Sequence, residues 1–123
     1  KKNDNYYFEN LPRADYLRIL KMSECIVGNS SSGIIESSTF KIPTVNIGRR
    51  QNQRFRPANV VDVNEMNENK IVIAIKTCIS QKFKKKINNI KNPYGDGNSS
   101  KKIFDILLNT PINDKILIKK LTY

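Results

Sequence analysis

Short apolar runs bounded by turns alternate along this chain with runs at helical spacing, and that alternation restricts the fold more than any other feature. Residues 24–28 (ECIVG), 44–47 (TVNI) and 59–63 (NVVDV) are too short and too β-branched for helices, so each reads as a strand. Residues 5–9 (NYYFE) read as a further strand from their aromatic content. Pro12 stands where a first helical turn tolerates a residue without an N–H, and Tyr16, Leu17, Ile19 and Leu20 give the run after it an apolar face. Ile34, Ile35 and Ser38 fall at helical spacing, and that helix ends before Pro43, which pushes its predecessor away from α geometry. Asn67 caps a run carrying Ile71, Ala74, Ile75 and Cys78, and a last helix is expected over residues 101–108. Strands joined to helices by short loops predict βαβ units: an α/β fold with a Rossmann-like parallel sheet covered on both faces.

The 123 residues suffice for one compact core, which predicts one domain over residues 1–110. The tail, residues 111–123, alternates Ile/Leu with Lys and fits an edge strand or a short helix. The chain opens Lys-Lys-Asn-Asp, with the first methionine at Met22, as expected of a fragment. The two cysteines, Cys25 and Cys78, sit among apolar neighbours and form neither a disulfide framework nor a metal site. No apolar stretch approaches the roughly 20 residues that span a bilayer, so a cytoplasmic, reducing setting is expected. No residue pattern asks for a cofactor.

A formal charge of +11 suggests an anionic partner. The clusters at Lys82, Lys84, Lys85 and Lys86 and at Lys115, Lys119 and Lys120 read as solvated faces or as a nucleic-acid surface. No series of aromatic stacking platforms interleaves with them, which favours the solvated face.

Chemistry concentrates in residues 28–38, GNSSSGIIESS, between a strand and a helix. In open parallel sheets ligands collect at the carboxyl ends of strands, where a helix N-terminus offers N–H donors and a positive dipole to an anion. The glycine spacing opens like a Walker A loop, but Ile34 and Ile35 stand where lysine and a hydroxyl residue are needed, which argues against a nucleoside triphosphatase. A serine-nucleophile hydrolase needs a histidine base, and the chain has none. Two readings remain: a hydroxyl and N–H cradle for a phosphate or diphosphate, or serines that only cap the helix. Glu36 is expected in the first helical turn, complementing the dipole or closing a capping box from Gly33, or else accepting from a ribose diol. Arg49, Arg50, Arg54 and Arg56 follow on a strand-exit loop, residues 48–58, where fixed guanidinium donors favour anion binding.

The stretches LPRADYLRIL, VGNSSSGIIE, IPTVNIGRRQ, ANVVDV and NPYGDGNSS carry a family resemblance over residues 8–108. Together they resemble the C-terminal part of the UDP-N-acetylglucosamine 2-epimerases, in the hydrolysing branch that serves sialic-acid-type biosynthesis. The resemblance implies a GT-B fold of two Rossmann-like domains with UDP held chiefly by the C-terminal one, of which this chain is part. It assigns Ser30 and Ser31 to the diphosphate, Glu36 to the ribose hydroxyls and Arg50 to the nucleotide side, with no catalytic acid or base in this chain. It implies elimination of UDP to a glycal and addition of water with inversion at C2, giving UDP and N-acetylmannosamine or the corresponding 2,4-diacetamido sugar. Arg49, Asn52 and Gln53 depart from residues more usual in the family. The resemblance further implies an N-terminal domain as partner, so that the isolated chain binds UDP without turning over substrate, and a sheet edge open to pairing with a second copy. Alternatives are a glycosyltransferase of the same architecture and a basic module that binds nucleic acid.

Overall fold

A computed structural model describes the backbone of residues 4–118. Three parallel strands, β1 (Ile26–Gly28), β2 (Thr44–Ile47) and β3 (Val60–Val63), lie side by side in chain order. Their register aligns Gly28 with Asn46 and Asn46 with Asp62. The helices are α1 (Arg13–Met22), α2 (Ser32–Phe40), α3 (Glu68–Ile79), α4 (Gln81–Ile87), α5 (Ser99–Asn109) and α6 (Asp114–Leu117). The expected α/β fold with a parallel sheet is present.

Side chains alternate across β2, and this sorts the helices. Val45 packs with Val63, Ala74 and Cys78, and Ile47, Val61, Ile71, Ile75 and Cys25 border that cluster, so α3 covers one face. Thr44 points the other way, towards Gly33 of α2, so α2 covers the opposite face. There is no room at Gly33 for a side chain: a Cβ would stand 2.8 Å from Thr44 Cγ2. On this α2 side the buried groups are polar as well as apolar. Asn59 Nδ2 donates to Ser37 Oγ at 2.9 Å and to the Ile42 carbonyl at 2.7 Å, fixing α2 to the approach of β3.

Local signals explain most boundaries. Asn67 caps α3 by accepting the Lys70 N–H at 3.0 Å. Helix α2 ends when Lys41 takes the left-handed conformation, φ 57°, and returns its N–H to the last turn. That stop precedes the proline by two residues. Residues 5–9, expected as a strand, form none: no neighbouring strand pairs with them, and Tyr6 and Tyr7 are 78% and 88% exposed. Aromatic content gives a strand propensity, but a strand exists only where a partner takes its hydrogen bonds.

Lys82, Lys84, Lys85 and Lys86 ride on α4. Lys84 pairs with Glu24, and Phe83 among them packs against the core instead of offering a stacking face. The described residues up to Pro93 and those from Tyr94 onward form two compact units. Within the second, α5 leaves Ile103, Phe104, Leu107 and Leu108 exposed, and residues 114–117 of the tail are helical. Lys119, Lys120 and the rest of the tail lie outside the described residues.

Candidate functional site

The carboxyl ends of β1 and β2 open into the two segments singled out by sequence. After Gly28 come residues 29–31 and then α2; after Ile47 comes the arginine loop, which Gly48 enters with φ 78°, a conformation that suits glycine. Parallel strands carry both segments to the same edge of the sheet.

The serines are not simple caps. Ser31 occupies the N-cap position of α2 in right-handed helical geometry, and its side chain makes no capping bond. Capping falls partly to Ser30, whose Oγ accepts the Ser32 N–H at 3.3 Å. The Ser30 and Ser31 carbonyls start the helical ladder, accepting from Gly33 at 3.1 Å and from Ile34 and Ile35 at 3.0 and 2.9 Å. Ser30 is exposed and Ser31 half-buried. The hydroxyl of Ser32 is bonded to that of Tyr16 on α1.

Glu36 is the fifth residue of α2, beyond the first turn, so neither the dipole nor a capping box accounts for it. Its place is a correction to the expected one, and the shift arises because the helix begins at Ser32. Glu36 Oε1 instead meets Arg13 Nη1 of α1 at 3.5 Å, with the carboxylate half-buried.

The arginines divide into two groups. Arg56 is structural: its Nε donates to Asp62 Oδ2 at 2.9 Å and Oδ1 at 3.1 Å, and its Nη1 to the carbonyls of Gln51 and Arg54 at 2.5 and 2.8 Å. Asn46, level with Asp62 in the register, donates to the same carboxylate at 2.6 Å. Arg49, Arg50 and Arg54 are exposed, and the loop from Arg49 to Arg54 lines a cavity of about 450 Å³.

What joins the two segments is Gln51. It is 4% exposed, and its Nε2 donates to the Asn29 carbonyl at 2.9 Å across 22 residues of sequence. The structure thus brings the serine turn, with Ser30 and Ser31, beside the arginine loop that carries Arg50, while Glu36 stands on the neighbouring helix with Arg13. Sequence reasoning missed Gln51, Arg13, Tyr16, Asn46 and Asp62. Asp62 and Asn46 were findable as polar residues near the carboxyl ends of strands; nothing in the local sequence marks Gln51 as buried.

Chemically, hydroxyls, guanidinium groups and the amino end of a helix at one sheet edge suit an anion of the size of a phosphate or diphosphate. Among the described residues no cluster of histidine, cysteine or acidic side chains has the make-up of a metal site, and no helix is long and apolar enough to cross a membrane.

Comparison with known proteins bears on the family of the chain. Residues 2–108 match the UDP-N-acetylglucosamine 2-epimerase family. The chain is similar to a UDP-N,N'-diacetylbacillosamine 2-epimerase (hydrolyzing) of Legionella pneumophila, 37% identical over 111 residues, which are 90% of this chain and 28% of the relative. It is 41% identical over 88 residues to the polysialic acid biosynthesis protein P7 of Escherichia coli, covering 72% of this chain and 22% of that one. A GDP/UDP-N,N'-diacetylbacillosamine 2-epimerase (hydrolyzing) of Campylobacter jejuni is 48% identical over 61 residues, 50% of this chain and 16% of the relative. The chain spans less than a third of the length of each of these relatives.

Proposed function

Since the chain belongs to the UDP-N-acetylglucosamine 2-epimerase family, we propose that it holds the UDP moiety for a hydrolysing 2-epimerase of UDP-linked 2-acetamido sugars. In the reaction the sugar loses its C2 proton and UDP departs from C1, leaving a glycal; water then adds with inverted configuration at C2. The products are UDP and the free epimerised sugar. Departure of UDP builds negative charge on the diphosphate, and donors fixed in advance stabilise that charge best. Ser30, Ser31 and the N–H groups of their turn fill this role, with Arg50 reaching from the adjoining loop. Glu36, steadied by Arg13, is suited to accept from the ribose diol.

The acid and base for C2 come from the remainder of such an enzyme, a second Rossmann-like domain closing over this one in a GT-B arrangement. Two relatives named for UDP-N,N'-diacetylbacillosamine make the 2,4-diacetamido sugar the first substrate to try, with UDP-N-acetylglucosamine, the precursor of N-acetylmannosamine for sialic-acid-type products, the second. The same reading sets the reaction in the cytoplasm, and the free thiols of Cys25 and Cys78 support a reducing compartment.

The observation that carries the proposal is the bond from Gln51 to Asn29, which joins the serine turn and the arginine loop into one anion-facing edge. A UDP titration of the isotope-labelled chain tests it. UDP is expected to shift the amides of residues 29–36, and Glu36→Ala and Arg50→Ala each to weaken that response. Amides unmoved by millimolar UDP, with both variants indistinguishable from the parent, would refute it.

A further inference from the structure

A buried glutamine in a polar loop needs a reason. Around Gln51, residues Arg49, Arg50, Asn52 and Gln53 are all exposed, yet Gln51 itself is withdrawn from water to 4% exposure. Desolvating a primary amide is unfavourable unless a partner replaces the lost water, and the Asn29 carbonyl at 2.9 Å is that partner. Gln51 is also held from behind. Its own carbonyl accepts the Arg54 N–H at 3.0 Å and Arg56 Nη1 at 2.5 Å. Arg56 is fixed to Asp62 of β3, and Asp62 to Asn46 of β2. A continuous polar chain therefore runs from the two strands through Arg56 and Gln51 to the backbone of the serine turn.

The consequence lies in the peptide that Gln51 grips. The Asn29 carbonyl and the Ser30 N–H belong to one planar unit and point in opposite directions, so pinning the carbonyl sets the direction of the N–H. The same Ser30 accepts the Gly33 N–H through its carbonyl at 3.1 Å. Its backbone is thus fixed on both sides while the residue stays exposed. We infer that Gln51 is a positioning residue, coupling the arginine loop to the serine turn so that a nucleoside diphosphate meets both as one preformed surface. The ligand in this inference rests on the function proposed above; the coupling does not.

Gln51→Met tests it, because methionine keeps the length and burial of the side chain and removes the donor. Without ligand, the Ser30 amide signal is expected to move, while the Thr44–Ile47 amides stay in place. With UDP as probe, affinity is expected to fall about threefold to tenfold, the worth of one neutral hydrogen bond spent on pre-organisation. Gln51→Asn, which keeps the amide but withdraws it by one methylene, should do the same and serves if the methionine disturbs the strands. A Ser30 amide indifferent to both variants overturns the coupling, whatever UDP does. A Ser30 amide that responds in a chain that ignores UDP upholds the coupling and overturns the diphosphate reading. A response together with unchanged UDP affinity overturns the claim that the coupling serves the ligand.

Discussion

Gly33→Ala is the sharpest test of how α2 is set against the sheet. The new Cβ would lie 2.8 Å from Thr44 Cγ2, with Ile26 Cγ2 at 3.7 Å and Thr44 Oγ1 at 3.8 Å. Carbon atoms rest at about 3.5–4.0 Å, so one contact is short by roughly 0.7 Å or more. Thr44 has little freedom to yield: it is buried, β-branched, on the central strand, and its N–H is bonded to the Asn59 carbonyl at 2.8 Å. Overpacking of this kind costs about 1–3 kcal/mol, against up to about 1 kcal/mol gained from replacing glycine by alanine in a helix. A net destabilisation of about 1–2 kcal/mol is expected, read as a lowered urea midpoint at the Thr44–Ile47 amides. Thr44→Ser removes the obstructing methyl and on its own should cost about 1 kcal/mol. The double variant should then be no less stable than Thr44→Ser alone, a coupling of at least about 1 kcal/mol. Additive losses, or a Gly33→Ala chain more stable than the parent, would refute the reasoning.

Two further outcomes follow from side chains in defined surroundings. The Asp96 carboxyl is held down to about 2 by the Asn98 N–H and then by Lys102, so its folded value lies below the 3.8 of a free aspartate. The stabilisation it gives is complete above about pH 4 and is lost as pH falls through about 2; the Asn98 amide should titrate with that lower midpoint, and a midpoint near 4 would contradict the assignment. Cys25 and Cys78 share a hydrogen bond that lowers the pKa of Cys25, while the same contact and burial raise that of Cys78. Alkylation of the native chain, mapped by mass spectrometry, should therefore label Cys25 first and Cys78 only on unfolding; the reverse order would sink this prediction.

Elements that carry their own local cause were legible. Asn67 with the apolar spacing after it announced α3, and the βαβ alternation announced the parallel sheet, because caps and periodicity are properties of a few neighbouring residues. Residues 5–9 misled for the opposite reason: their aromatic side chains suit a strand, but pairing depends on a partner far away in sequence. At the site, the serine turn and the arginines could be picked out by composition, and Glu36 by proximity to the turn. Its bond to Arg13 could not, since it depends on how α1 lies against α2. Gln51 was invisible because burial of one amide within a polar loop leaves no pattern in the residues around it.

The two faces of the sheet are packed in different ways. On the α3 face, Val45, Val63, Ala74 and Cys78 form an apolar cluster whose burial stabilises the fold. On the α2 side, beside the buried Ile34, small and polar groups set the spacing: Gly33, Ser37 and Thr44 let the helix approach closely, and Asn59 locks it there. Polar contacts have narrow geometric tolerance and so specify one position of the helix rather than many. The start of α2 is where Ser30 and Ser31 stand, so the serine turn inherits that position. Losses of volume on the α3 face should lower stability with the turn unmoved, whereas changes at Gly33 or Asn59 should displace it. Polar packing at Gly33 and Asn59 thus specifies where α2, and with it the serine turn, stands against the sheet.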